Sequence, residues 1–237
     1  MVDTSGLIRV LLADPDPATH AEFRAAIAGS RFRVDAAAST GREAVETYAR
    51  TRPDLAVVSL VFPDLGGTAV IREILARDKE ALIVVAYAIQ AKHLAREAET
   101  VGAIVVKKPF QRDKLLERMA TALVGGGHHH RFSLRLQHPL PVNWKKPGLL
   151  SRRSSTVTRD ISQAGLSLFL DEPLPARQAL DLSIQMSDGP PLKTKGMVMG
   201  VDRSNDGKHY AVGIAFTEIT QEDRTRLRQY IIDTLVK

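Results

Sequence analysis

Apolar residues in the first half of the chain fall in short unbroken runs separated by amphipathic stretches. The runs are Ile8–Ala13, Leu55–Leu60, Ala81–Ala86 and Ala103–Val106, and a further segment alternates Phe32, Val34 and Ala36 with polar residues. Helical spacing is predicted between them, around Ala18–Ala28, Gly41–Arg50, Thr68–Arg77, Lys92–Val101 and Arg112–Leu123. A strand that is apolar on both sides has to be covered on both faces, so these units predict a parallel sheet between helices. The expected fold is a doubly wound α/β domain with a five-stranded sheet. Its functional edge lies at the carboxyl ends of the strands.

The pattern then changes. Strand-like segments occur near Thr156–Asp160, Leu166–Leu170, Ala179–Gln185, Lys195–Val201 and Tyr210–Phe216, with turn signals at Ser187–Pro191 and Ser204–Gly207. Short strands with regular turns predict a small sheet or barrel. The chain closes on an amphipathic pattern, Ile219–Val236, in which Leu227, Tyr230, Ile231 and Leu235 share a face. Thr220, with Asp223 three residues on, is placed to cap that helix. Gly125-Gly126-Gly127-His128-His129-His130 reads as a linker, since a run of glycines does not sustain a helix. The expected division is 1–124, a linker at 125–130, and 131–237. Three adjacent histidines without a neighbouring carboxylate or thiol do not make a metal site.

Composition narrows the function classes. The 237 residues include no cysteine, which excludes disulfides, zinc–thiolate centres and cysteine nucleophiles and fits a cytoplasmic protein. No apolar run is long enough to span a bilayer, and the first residues lack a signal-peptide pattern. The net charge of +6 is uneven. Residues 1–125 carry 17 basic and 16 acidic side chains, whereas Arg131–Arg159 holds seven basic residues and no acidic one. Such a strip points to an anionic partner.

The first half resembles a response-regulator receiver domain over residues 6–124. The resemblance is carried by the strand ending Ala13-Asp14-Pro15-Asp16, by Ser59 and the following Pro63-Asp64-Leu65-Gly66-Gly67, and by Lys108-Pro109-Phe110. It implies a phosphorylation site at the strand ends, but the residues there depart from the family. Ser59 stands where the phospho-accepting aspartate is expected. Pro15 replaces a residue that helps hold Mg²⁺, and Tyr87 replaces a Ser or Thr. Aspartyl phosphorylation needs a carboxylate nucleophile and a metal with several oxygen ligands. Asp14, Asp16, Ser59, Tyr87 and Lys108 are therefore read as a degenerate, inactive receiver site. Asp14 and Asp16 serve the loop and the helix start, and Lys108 contacts Asp14 or a strand-end carbonyl. By analogy with the family, the remaining role is protein–protein interaction through the face of the fourth helix, fifth strand and fifth helix.

Two motifs follow the linker: Arg131-Phe132-Ser133-Leu134-Arg135 and Asp160-Ile161-Ser162-Gln163-Ala164-Gly165. With Gly213-Ile214-Ala215-Phe216 and the terminal helix, they resemble the PilZ domain over residues 129–236. This implies a mostly-β six-stranded barrel with a C-terminal helix, and binding of cyclic di-GMP by Arg131, Arg135, Asp160, Ser162 and Gly165. The residue types suit that ligand. Arginine presents a planar fork to phosphate oxygens or to guanine O6 and N7. Asp160 can accept from guanine or orient an arginine. Ser162 can donate to a phosphate or cap the turn. Gly165 can supply a positive φ or a close backbone approach. Trp144 is either a base platform or a packing residue.

The sequence thus predicts a non-enzymatic cyclic di-GMP effector without a cofactor. Its PilZ half senses the nucleotide and its pseudo-receiver half docks a protein, in motility, polarity or surface attachment. A homo-oligomer is compatible with this. The alternative is a ligand-independent interaction adaptor. A DNA-binding regulator would need a helix-turn-helix with a basic recognition helix, where this chain has strands. An enzyme would need a nucleophile–base or metal constellation, and none can be named.

Overall fold

The computed structural model describes residues 7–100, 103–125, 135–148, 152–187, 189–204 and 207–236. The chain forms two compact units, one reaching Phe132 and taking in Ile232–Lys237, the other spanning Ser133–Ile231. Of the expected linker at 125–130, Gly125 instead ends a helix of the first unit, and 126–130, with Arg131, lie outside the described residues.

The first unit is the expected α/β sandwich. Five parallel strands, β1 (Ile8–Ala13), β2 (Phe32–Ala38), β3 (Leu55–Ser59), β4 (Ile83–Tyr87) and β5 (Ile104–Lys107), lie in the order β2-β1-β3-β4-β5. They alternate with α1 (Pro17–Ile27), α2 (Gly41–Thr51), α3 (Gly67–Arg77), α4 (Lys92–Thr100) and α5 (Arg112–Gly125). Leu11, Ala13, Ala56 and Val58 pack with Val45, Val70 and Ile74 in one core layer. On α1, Phe23 meets Phe110 edge-on, with centroids 5.4 Å apart.

Local chemistry starts the helices where the sequence places them. Asp16 accepts from the Ala18 amide as the α1 N-cap, with Pro17 fitting the first helical position. Thr40 accepts from the Glu43 amide, and Glu43 reaches back to Ser39. Arg52 closes α2 in the left-handed region at φ 45°.

The second unit is a closed six-stranded barrel in the order β10-β11-β8-β7-β6-β9, with β9 also pairing to β10. Its strands are β6 (Pro141–Lys145), β7 (Ser154–Ser162), β8 (Gly165–Leu170), β9 (Ala179–Ile184), β10 (Leu192–Arg203) and β11 (Tyr210–Glu218). Closure removes the edges that an open antiparallel sheet exposes. The last helix, α6 (Gln221–Val236), starts where Thr220 accepts from the Asp223 amide, and buries Leu227, Ile231 and Leu235.

The barrel includes one strand that the sequence pattern does not announce. Pro139 and Pro141 argue against a strand at β6, yet Val142 fills the interior and the strand pairs on both sides. Proline at a strand's first residue removes no essential ladder bond. The strands β7 and β8 also run further toward each other than expected, leaving only Gln163 and Ala164 as the connecting turn.

Candidate functional site

The parallel sheet brings the expected residues of the first unit together at its carboxyl edge. Because β1 and β3 are neighbours, Asp14 just past β1 lies beside Ser59 at the end of β3. Lys108, just past β5, extends its ammonium to Asp14 Oδ2 at 2.6 Å and to Ser59 Oγ at 3.4 Å. Asp14 is buried, and its second oxygen accepts the Asp16 amide at 3.0 Å. Asp16 is turned away into capping. Oδ1 takes the Ala18 amide and Oδ2 the Thr19 hydroxyl, both at 3.0 Å, and these bonds hold its carboxyl below the usual range. Ser59 is buried as well. Tyr87 takes part through its carbonyl, which accepts the Lys108 amide at 2.8 Å. Every carboxylate oxygen at this edge is therefore engaged by a donor of the chain itself.

In the barrel, Asp160 on β7 lies opposite Ser167 on β8, while Ile161 and Leu166 point inward. Leu136 forms a bridge to Ile161, exchanging both backbone hydrogen bonds, and this carries the preceding residue, Arg135, alongside Asp160. Arg135 Nη1 donates to Asp160 Oδ1 at 2.7 Å and to Ser167 Oγ at 3.1 Å. The carboxylate is nearly buried, whereas the arginine side chain is 53% exposed. One nitrogen of the guanidinium is thus fixed, and the rest of its donor fork faces outward.

The other motif residues shape the hairpin. Ser162 is buried, donating to the Gly165 carbonyl at 3.2 Å and accepting the Ala164 amide at 3.3 Å. Of the two roles open to Gly165, the structure displays close approach: a Cβ there would stand 2.1 Å from the Ile214 carbonyl oxygen of β11. Its φ is not among the positive ones. Ser167 is the residue that the sequence reading missed. Its only signal was the register of the hairpin, which places it opposite Asp160.

Trp144 on β6 is partly buried, and its indole N–H is enclosed without an acceptor among the described residues. It lines a groove of about 770 Å³ with Arg153, Asp181, Lys193, Lys195 and Glu218. None of the motif residues described above lines that groove.

Residues 10–120 match the model of the response regulator receiver domain, and residues 128–233 that of the PilZ domain. The chain is 31% identical over 112 residues to the chemotaxis protein CheY of Thermotoga maritima, covering 47% of this chain and 93% of that one. It is 30% identical to CheY of Treponema pallidum over 48% of this chain and 82% of that one. This chain belongs to the response-regulator receiver family. Its second unit is a PilZ domain. Among solved structures, the Bacillus subtilis inhibitor of motility MotI/DgrA aligns with a TM-score of 0.39 and 19% identity, over 44% of this chain and 51% of that one. The receiver and PilZ units are both regulatory modules, and their union marks a signalling protein related to cyclic di-GMP. No helix among the described residues is long and apolar enough to cross a membrane.

Proposed function

We propose that the PilZ unit binds cyclic di-GMP on the outer barrel face around Arg135 and Asp160, and that the receiver unit passes the signal to a protein partner without being phosphorylated. The observation that carries the first part is the half-exposed Arg135 guanidinium, anchored by one nitrogen on Asp160 and Ser167. A pre-oriented fork loses little freedom when it takes a phosphodiester oxygen or a guanine edge. Asp160 acts by orienting the arginine. Ser162 and Gly165 act by holding the tight hairpin that presents Asp160. Arg131, four residues before Arg135, is assigned to the ligand by the motif alone.

The second part is supported by the occupied strand edge. The receiver family implies Mg²⁺, but the side chains present do not fit it. Asp14 is bound to Lys108 and the Asp16 amide, Asp16 caps α1, and Pro15 offers no side-chain oxygen. Ser59 provides no carboxylate to attack a phosphoryl donor. Lys108 has thus taken an internal partner. Docking through the α4–β5–α5 face follows the habit of receiver domains, and the chemotaxis relatives favour motility as the setting.

Isothermal titration of the full chain with cyclic di-GMP tests the first part. Micromolar or tighter binding is expected, with loss of binding in Arg135→Ala and Asp160→Ala. No binding by the parent protein makes the PilZ unit a ligand-independent interaction module. Incubation with acetyl phosphate and Mg²⁺ tests the second part. An unchanged intact mass is expected, and a stable aspartyl phosphate overturns it.

A further inference from the structure

A feature of β7 that no motif covers extends this site. Thr158 and Ile161 both point into the barrel, and the strand is bulged between them. Two steps along β7, from Thr158 to Asp160, match one step on β8, from Leu168 to Ser167. In a regular strand Arg159 would face out and Asp160 in. The extra residue instead leaves both Arg159 and Asp160 on the outer face. The bulge therefore sets a second arginine beside the carboxylate that holds Arg135.

Arg159 is also supported. Its guanidinium carbon lies over the Phe169 ring, 5.7 Å from the centroid. Phe169 faces outward from β8, between the inward Leu168 and Leu170, and is 39% exposed. Arg159 makes no hydrogen bond or ion pair with the described residues, so its donors and the face away from Phe169 remain unspent. A cation over an aromatic ring is restrained before a ligand arrives and so loses less freedom on binding. The carboxylate that follows Arg159 in the chain, Asp160, is already bound to Arg135.

We infer that Arg159 is a direct ligand contact of the PilZ site, its guanidinium stacked between Phe169 and a guanine base of cyclic di-GMP. This rests on the reading of the barrel face as the cyclic di-GMP site. The contact is made by the plane of the group and not merely by its charge. Lysine at this position keeps the field but cannot stack.

The test is titration of the full-length parent, Arg159→Ala, Arg159→Lys and Phe169→Ala with cyclic di-GMP at two salt concentrations, with Arg135→Ala as reference. Arg159→Ala is expected to raise Kd about tenfold. Arg159→Lys is expected to stay within about threefold of Arg159→Ala while keeping the parental salt dependence, and Phe169→Ala to weaken binding in the same direction. A parental Kd in Arg159→Ala, in a protein whose binding Arg135→Ala abolishes, overturns the inference and leaves the site reading intact. Full recovery by Arg159→Lys also overturns it, reducing Arg159 to a steering charge. No binding by the parent removes the site reading and this inference together. Arg159 lies at the surface, so unchanged circular dichroism is expected for its variants.

Discussion

Each half of the molecule holds a cation against an aspartate at nearly the same distance, 2.6 Å for Lys108–Asp14 and 2.7 Å for Arg135–Asp160. What separates them is exposure. Asp14 and Lys108 are 1% and 16% exposed, so the pair is an internal strut between the ends of β1 and β5. Arg135 is 53% exposed over a 12% exposed carboxylate, so its pair is an anchor with a free end. An ion pair closed off from solvent is costly to break, whereas one at the surface contributes little to stability and leaves its donors to a ligand. The receiver half encloses its pair between strand ends, and the PilZ half leaves much of its arginine exposed.

The sharpest way to break this contrast is to remove one member of the ion pair in each half. Asp14→Ala leaves the largely enclosed Lys108 ammonium with only the Ser59 hydroxyl and is expected to cost about 3 kcal/mol in chemical denaturation of the full chain. Arg135→Ala removes the exposed member of its pair and is expected to cost less than about 1 kcal/mol while abolishing the proposed nucleotide binding. Equal losses in the two variants would mean that exposure does not separate the pairs.

Acid provides a finer comparison. Hydrogen bonds from Ala18 and Thr19 lower the Asp16 carboxyl below its ordinary 3.8. The charged cap therefore stabilises the receiver fold above that value, and the contribution is lost as pH falls through the lowered one. Asp16→Asn still caps the helix but does not titrate. Its expected signature is a small decrease in the pH dependence of stability below pH 4, read by denaturation across an acid series. Asp64, lowered by the Arg42 and Gly41 amides, acts in the same direction and leaves part of that dependence in place.

Much of the fold was legible because the chain's periodicity is clean. β1 has the predicted bounds, and the other strands of the parallel sheet and its helices lie within a few residues of theirs. The apolar runs there are covered on both faces and need no partner to be recognised. The side-chain pairings were legible where one residue type suffices, as with Lys108 on Asp14 and Arg135 on Asp160. Less legible were residues whose role depends on register. Ser167 matters because it lies opposite Asp160, and β6 exists because barrel closure gives a proline-flanked segment two partners.

The sequence by itself determined the two fold types and the helix starts at Asp16 and Thr220. These follow from local preference and side-chain chemistry, which act over a few residues. Only the tertiary structure decided that Lys108 is spent on Asp14 across 94 positions of chain, that Leu136 carries Arg135 to Asp160, and that a bulge turns Asp160 to the same outer face as Arg159. Each depends on which backbone groups pair across strands. A period-two pattern cannot announce the extra residue that reverses it.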